Sequence, residues 1–301
     1  MPELLLACGA ATDTGRLREN NEDRYWTDPA RGVYLVADGL GGEVAGERAA
    51  ELAVEAVRDA IEAPGDAKAR VRSAIAAAND RIYARACANP EFAGMACVLT
   101  LALVEGDRVT IGHVGDSRLY LIVNREIRKL TNDHSPVGEE EDAGEVSEEE
   151  AMRHPRRHEI YRDVGSRPLS AVDDDFIEVR ECRFPRRGAL LLCSDGLTDQ
   201  LTSLQIHEII GRYSGDPADV ARNLVDAANQ AGGADNITAL FVAGPDFHGR
   251  GEATRPRFSA TRVRPRSGVR SLWDGLTSRV ALTFYGLFLG ALLWSVLHVR
   301  G

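Results

Sequence analysis

Four carboxylates each stand where a short apolar run stops: Asp38 after residues 33–37, Asp116 after 109–115, Asp195 after 189–194, and Asp235 just ahead of 237–242. Short apolar runs bounded by turn residues read as buried strands, and buried strands end at sheet edges. Acids at several strand ends can meet at one point, where they repel unless cations hold them. The chain therefore reads as a β-rich core carrying an oxygen-ligand metal site.

At 301 residues and 44% hydrophobic content, there is room for one large domain or two ordinary ones, with enough apolar surface for a core. The net charge of −10 is unevenly spread. From Arg250 onward nine arginines face two acids, Glu252 and Asp274, a surplus of +7 that leaves the preceding part near −17. That acidic part has no clustered basic face, which argues against nucleic-acid binding. The five cysteines (Cys8, Cys87, Cys97, Cys182, Cys193) are odd in number and lack any Cys-x-x-Cys spacing. Neither a disulfide framework nor a zinc knuckle is indicated, and a reducing compartment fits. Leu5-Leu6-Ala7-Cys8 looks like a lipoprotein cleavage box but lacks a basic leader and a long apolar stretch, so it reads as the start of a first strand.

Residues 280–299 contain no Asp, Glu, Lys or Arg and lie between Arg279 and Arg300. Twenty such residues as a helix span a bilayer core, so one transmembrane helix over 279–300, a tail anchor, is expected. Eight arginines between Arg250 and Arg279 precede it and place the main domain in the cytoplasm. Gly286 and Gly290 would let two such helices approach closely in a dimer. Residues 246–278, rich in Arg, Pro, Gly and Ser, read as a flexible basic linker able to touch anionic headgroups.

Within residues 1–245, an apolar stripe predicts a helix over 43–63, ended by Pro64-Gly65, and a second one capped by Asp66 and stopped at Asn89-Pro90. Residues 96–130 read as an antiparallel meander divided at Gly106-Asp107, Gly115-Asp116 and Asn124-Arg125. Positions 139–150 hold eight acids and a capping box at Ser147, which together read as a solvated flap over about 136–175. Strands are expected at 176–183, 188–193 and 236–243, and helices at 203–211 and 217–231.

Carboxylates and backbone carbonyls are hard ligands suited to Mn²⁺ or Mg²⁺. A glycine beside Asp38 and another beside Asp195 would let backbone carbonyls come close to a cation, although one Asp-Gly alone equally marks a hairpin turn. Two such cations about 4 Å apart can deprotonate a bridging water and stabilise an in-line displacement at phosphorus. A phosphate dianion also wants a guanidinium, and Arg18, just ahead of Asn20-Asn21-Glu22-Asp23, is the candidate. Of the histidines, His113 and His134 read as structural. His154 and His158 fall in an Arg-rich stretch that would either meet acidic or phosphorylated segments or balance the acids before it.

Six ordered motifs then make a resemblance explicit: Thr12-Asp13-x-Gly15-x-x-Arg18-x-x-Asn21-Glu22-Asp23, Ala37-Asp38-Gly39-Leu40-Gly41-Gly42, Gly115-Asp116-Ser117-Arg118, Leu130-Thr131-x-Asp133-His134-Ser135, Ser194-Asp195-Gly196-Leu197 and Asp235-Asn236-Ile237-Thr238. Over about residues 5–243 the chain resembles type 2C metal-dependent serine/threonine protein phosphatases, especially the bacterial branch. The resemblance implies an α+β fold, a four-layer α-β-β-α sandwich of two antiparallel sheets with flanking helix pairs. It also implies two Mn²⁺ or Mg²⁺ ions that activate a water for hydrolysis of phosphoserine and phosphothreonine.

By that likeness Asp38 would bridge both ions, the Gly39 carbonyl would bind the second, and Asp195 and Asp235 would bind the first. Glu22 would reach a metal through a water, Asp116 would hold a third, weaker ion, and Arg18 would contact the phosphate. Implied partners are phosphorylated proteins, among them a single anti-sigma-type regulator as a narrower case, and a cognate serine/threonine protein kinase. Two positions depart from the family. Ala96-Cys97-Val98 replaces a Gly-Thr-Thr type run, and Leu40 stands where some eukaryotic members carry a His proposed as general acid. The rival reading is a pseudophosphatase that binds phosphoproteins at the membrane without turnover.

Overall fold

A computed structural model describes residues 6–168, 175–249 and 257–258. All of the described residues belong to one compact unit. The expected span at 279–300, with Gly286 and Gly290, lies outside the described residues, among which no helix is long and apolar enough to cross a membrane.

Eleven strands are described: β1 (Ala7–Asp13), β2 (Arg24–Asp28), β3 (Val33–Leu40), β4 (Ala96–Glu105), β5 (Arg108–Val114), β6 (Arg118–Val123), β7 (Glu126–Lys129), β8 (Glu178–Arg183), β9 (Ala189–Cys193), β10 (Ile237–Ala243) and β11 (Arg257–Phe258). They form two sheets, β1-β10-β9-β6-β7-β11 and β2-β3-β4-β5-β8, antiparallel throughout except where β11 lies parallel to β7. β11 falls in the stretch read as a flexible linker. There it pairs with β7, which has β6 on its other side.

Helices α1 (Glu43–Ala60) and α2 (Ala67–Ala88) cover the five-stranded sheet, and α6 (Ser203–Ile210) and α7 (Pro217–Ala231) cover the other, with the short α5 (Asp195–Thr198) directly after β9. Side-chain parity along the strands explains the four layers. In β3, Val33, Leu35 and Ala37 pack under α1 and α2, whereas Tyr34 and Val36 fill the space between the sheets. In β10, Ile237, Ala239 and Phe241 face the helices while Leu240 and Val242 face inward. A strand buried on both faces reads as an unbroken apolar run, which is why these segments stand out in the sequence. Asp66 caps α2 by accepting from the Ala69 N–H (2.8 Å), as its position predicts.

The meander expected over 96–130 is divided between the sheets. β4 and β5 pair in one, β6 and β7 in the other, and the chain crosses at Gly115-Asp116-Ser117. Gly115 adopts φ +110°, and a Cβ there would lie 2.1 Å from Val98. Its carbonyl accepts from the His134 N–H (2.7 Å) and its N–H donates to His134 Nδ1 (3.0 Å), so tertiary partners fix the crossing.

The acidic run is less solvated than expected. It forms α3 (Pro136–Ala143) and α4 (Glu148–Ala151), the latter opened by the anticipated capping box. Glu141 pairs with buried Arg118 (2.7 Å), Asp142 with buried Lys129 (2.7 Å), and Glu148 accepts from the Ser203 N–H and hydroxyl (2.7 and 2.6 Å). These three acids tie the flap to β6, β7 and α6. Further on, Val164 exchanges two backbone hydrogen bonds with Cys97, and Asn79 of α2 bonds Gly165 and Arg167.

Candidate active site

Asp38 lies among the last paired residues of β3, β5 leads into Asp116, β9 leads into Asp195 and β10 starts just after Asp235, so all four acids lie at one end of the sandwich. β1 ends at the same pole and hands the chain to the loop carrying Arg18 and Glu22. Arg18, Glu22, Asp38, Gly39, Asp116, Asp195 and Asp235 line one cavity of about 200 Å³, with Leu40, His158, Ile160 and Asn236 completing its wall. The seven residues expected to hold metal or phosphate therefore meet at one site. A larger cavity of about 360 Å³, lined by Ile122, Arg125, Arg187 and Phe247, lies at the opposite end of the six-stranded sheet and contains none of these acids.

Glycines set the close approaches. A Cβ on Gly39 would fall 2.1 Å from the Gly46 carbonyl of α1, and a Cβ on Gly46 would fall 1.8 Å from Glu22 Oε2. The Glu22 carboxylate thus occupies space that any other residue at position 46 would fill. A Cβ on Gly196 would meet the Asn236 carbonyl at 2.0 Å, which brings the Asp195 and Asp235 segments together.

Several functional positions went unnoticed in the sequence. Asn236 is 6% exposed; its Nδ2 donates to the carbonyls of Thr14 (2.9 Å) and Asn20 (2.8 Å), and its Oδ1 accepts from the Glu22 N–H (2.8 Å). It thereby fixes the Arg18–Glu22 loop to the start of β10. Asp23 is buried and accepts from the Ser194 hydroxyl (2.7 Å), while its Oδ1 has no hydrogen-bond partner. Asp199 lies four residues after Asp195, accepts from Arg157 Nε (3.0 Å), and shares a second small polar cavity with Asp116 and Asp195. His158 stands beside both Asp195 and Asp199. Asp199 had a readable signal, its i, i+4 spacing from Asp195. An exposed histidine among arginines had none.

Electrostatics define what the site accepts. Burial pushes Asp38 well above the usual carboxylate range, and the charges of Asp23, Asp195, Asp116 and Asp235 add to the rise. Burial, then Asp195, does the same to Asp116. Asp23 is pushed up to about 7 and Asp199 to about 6, again chiefly by burial with Asp195 adding. Arg18 Nη2 bonds Asp235 Oδ2 (2.7 Å). Crowded, half-buried carboxylates and an all-oxygen donor set fit hard divalent cations.

His113 and His134 are structural. His113 bonds Thr100 Oγ1 (2.8 Å) and the Asn132 carbonyl (3.0 Å), and burial lowers it to about 4. His134 accepts from the Gly115 N–H and is lowered to about 2, also by burial.

A two-sheet sandwich whose strand ends gather acids beside an arginine defines a hydrolase of phosphate esters that works with divalent metal ions. The model of the family "Protein phosphatase 2C" matches residues 16–231, and the chain belongs to that family, as a serine/threonine protein phosphatase. It is 36% identical over 242 residues to the serine/threonine phosphatase stp of Listeria monocytogenes, covering 77% of this chain and 93% of that one. To the serine/threonine protein phosphatase PstP of Mycobacterium tuberculosis it is 35% identical over 252 residues, 81% of this chain and 46% of the relative. The crystal structure of the M. tuberculosis PstP/Ppp phosphatase superposes with TM-score 0.71 at 32% identity, covering 80% of this chain and 99% of that one. The catalytic domain of PstP in complex with two manganese ions gives 0.70 at 31% identity, with 80% and 98% covered.

Proposed function

We propose that the chain removes phosphate from phosphoserine and phosphothreonine in protein segments, at the pole where Asp38, Asp116, Asp195 and Asp235 line one cavity. That convergence is the observation that carries the reading. Asp38, the Gly39 carbonyl, Asp195 and Asp235 would hold two divalent ions, Mn²⁺ or Mg²⁺, with Glu22 acting through water and Asp116 holding a third. Such ions supply charge neutralisation and an acidified water.

The chain's own groups do the rest. Arg18, more than half exposed at the mouth, is placed to fork the oxygens of an incoming phosphate once it leaves Asp235. Gly46 lets the Glu22 carboxylate sit against the backbone of α1, and Gly39 lets that helix approach β3. Leu40 and Ile160 form an apolar wall that limits water. Because Leu40 carries no proton, no side-chain acid for the leaving group comes from that position.

The finer reading is a membrane-tethered enzyme facing the cytoplasm that opposes a serine/threonine protein kinase. The apolar run at 280–299 and the arginines before it support this. Hydrolysis of p-nitrophenyl phosphate and of a phosphothreonine peptide should require Mn²⁺ or Mg²⁺ and vanish in Asp38→Ala and Asp195→Ala. Absence of turnover with any divalent ion would refute the enzyme and favour a phosphoprotein-binding module. Deleting residues 272–301 should release the protein from membranes with catalysis intact; retention on lipid would refute the anchor.

A further inference from the structure

At the pole away from the acids lies a cavity that the phosphatase reading does not use. It measures about 360 Å³ and opens between the β6–β7 hairpin, the end of α6 and the chain leaving β10. Its floor is apolar, from buried Ile122, Ile210 and Phe247, with buried His207 beside them, and its rim carries exposed Arg125 and Arg187. The acid in its wall, Asp246, is held by Arg186 Nε (2.8 Å), while Arg187 has no hydrogen-bond or salt-bridge partner among the described residues. A cationic rim over an apolar floor, at a volume of small-molecule size, suits an amphiphilic anion.

The hairpin bears a cost that turn chemistry alone does not require. Val123 pairs with Glu126, so Asn124 and Arg125 form a two-residue loop, and their φ values of +52° and +65° are left-handed at both central positions, as in a type I′ turn. Glycine fits the second position without penalty, whereas an arginine there holds a backbone conformation that its Cβ disfavours. What the arginine adds is a guanidinium at the mouth of the cavity.

The route of the chain indicates where the anion comes from. After β10 the backbone is clamped: the Gly244 N–H donates to the Gly188 carbonyl (2.9 Å), the Asp246 N–H donates to the Arg186 carbonyl (3.0 Å), and a Cβ on Gly249 would meet the Tyr213 carbonyl at 2.3 Å. Arg257 then pairs beside Glu126, next to Arg125. The chain therefore leaves the domain at this cavity, and most of the basic linker and the apolar run at 280–299 lie beyond it in the sequence. β10, seven residues long, sets this pole about 20 Å from the one with the acids.

We propose that this cavity binds the phosphate of an anionic phospholipid headgroup, with Arg125 and Arg187 taking the phosphate oxygens and Ile122, Ile210 and Phe247 lying under the glycerol carbons, so that the acid-lined pole is held facing away from the bilayer. The proposal rests on the membrane-tethered reading above. In it the tail fixes the domain to the membrane, and the cavity fixes which end of the domain faces it.

The test uses the full chain in nanodiscs of phosphatidylcholine alone, or of equal parts phosphatidylcholine and phosphatidylglycerol. Amide hydrogen exchange at 122–126 and 246–249 should slow in the phosphatidylglycerol discs and stay unchanged at the acid-lined pole. Arg125→Gly and Arg187→Gln should each reduce that slowing about fivefold, the contribution of one arginine near an anionic surface. Because glycine suits the turn, Arg125→Gly should keep or raise the Tm, so lost protection there is not unfolding. Both variants should hydrolyse a phosphothreonine peptide in detergent at the parent rate.

Equal exchange in the two kinds of disc overturns the proposal. So does slowing that persists in both variants, which would assign the lipid contact to the linker arginines instead. If inorganic phosphate added to phosphatidylcholine discs slows exchange as much as phosphatidylglycerol does, the cavity takes free phosphate and the lipid source is overturned. A chain that enters neither kind of disc refutes the membrane tether, and with it the lipid as the source of the anion, an outcome separable from equal exchange in chains that do enter.

Discussion

Asn236 links the fold to the chemistry, and replacing it isolates that link. Its three hydrogen bonds reach Thr14, Asn20 and Glu22, and all of them hold the loop that carries Arg18. In Asn236→Ala two carbonyls and one N–H lose their partner at a site only 6% exposed. At about 1 kcal/mol for each bond, the loss is roughly 3 kcal/mol. For a domain of this size that corresponds to a fall in Tm of about 6–12 °C. Urea unfolding would measure the stability and calorimetric titration the Mn²⁺ affinity. Steady-state kinetics should show a raised KM, because Arg18 and Glu22 move with the loop. Asn236→Asp sharpens the test. It keeps the acceptor for Glu22 but turns an anionic oxygen toward two carbonyls, so it should be no more stable than Asn236→Ala. Stability within about 0.5 kcal/mol of the parent, or an aspartate variant that behaves like the parent, would refute the argument.

Arg118→Leu removes the guanidinium bonded to Asp133 at 2.9 and 2.6 Å, leaving Asp133 with only Lys129 at 3.6 Å and Glu141 without its pair, and should cost about 3–5 kcal/mol by chemical denaturation. His113 titrates near 4 in the folded chain, below the ordinary value of about 6.5, so the unfolded chain takes up the proton first as pH falls. Its contribution is therefore complete above about pH 6.5 and drains away toward about pH 4, by up to roughly 3 kcal/mol. A His113→Asn variant should show a correspondingly shallower loss between pH 7 and 4.5 than the parent. Gly39→Ala drives a methyl to 2.1 Å from the Gly46 carbonyl, and should cost about 1–3 kcal/mol and sharply weaken Mn²⁺ binding measured by titration.

The parts of the site legible in the sequence share a physical origin. Asp38 and Asp195 follow strands buried on both faces and precede glycines forced by close packing, so run, acid and glycine appear together in the chain. The Asp66 cap of α2 and the capping box at Ser147 were legible because their causes lie within four residues. Asn236 and Asp23 were quoted within motifs, yet their roles depend on partners more than a hundred residues away: Thr14 and Asn20 for one, Ser194 for the other. A single polar residue carries no local pattern that reveals such a partner. The acidic run was misjudged for the same reason. Eight acids in sequence look solvated, and only the fold reveals that Arg118 and Lys129 wait beneath them.

The crossing at Gly115-Asp116-Ser117 shows most clearly how topology makes chemistry from a pattern that looks ordinary. In a meander confined to one sheet, a Gly-Asp pair between strands is a hairpin turn facing solvent, and its carboxylate has no reason to shift its pKa. Here β5 belongs to one sheet and β6 to the other, so the chain must pass over the end of the sandwich at the point where β3 and β9 also finish. Asp116 is carried to the neighbourhood of Asp38 and Asp195, and each feels the charge of another. Its carboxylate is raised because the crossing buries it there. A switch of sheets, fixed by the bonds of His134 to Gly115, is thus what brings a turn acid into the carboxylate cluster at this pole.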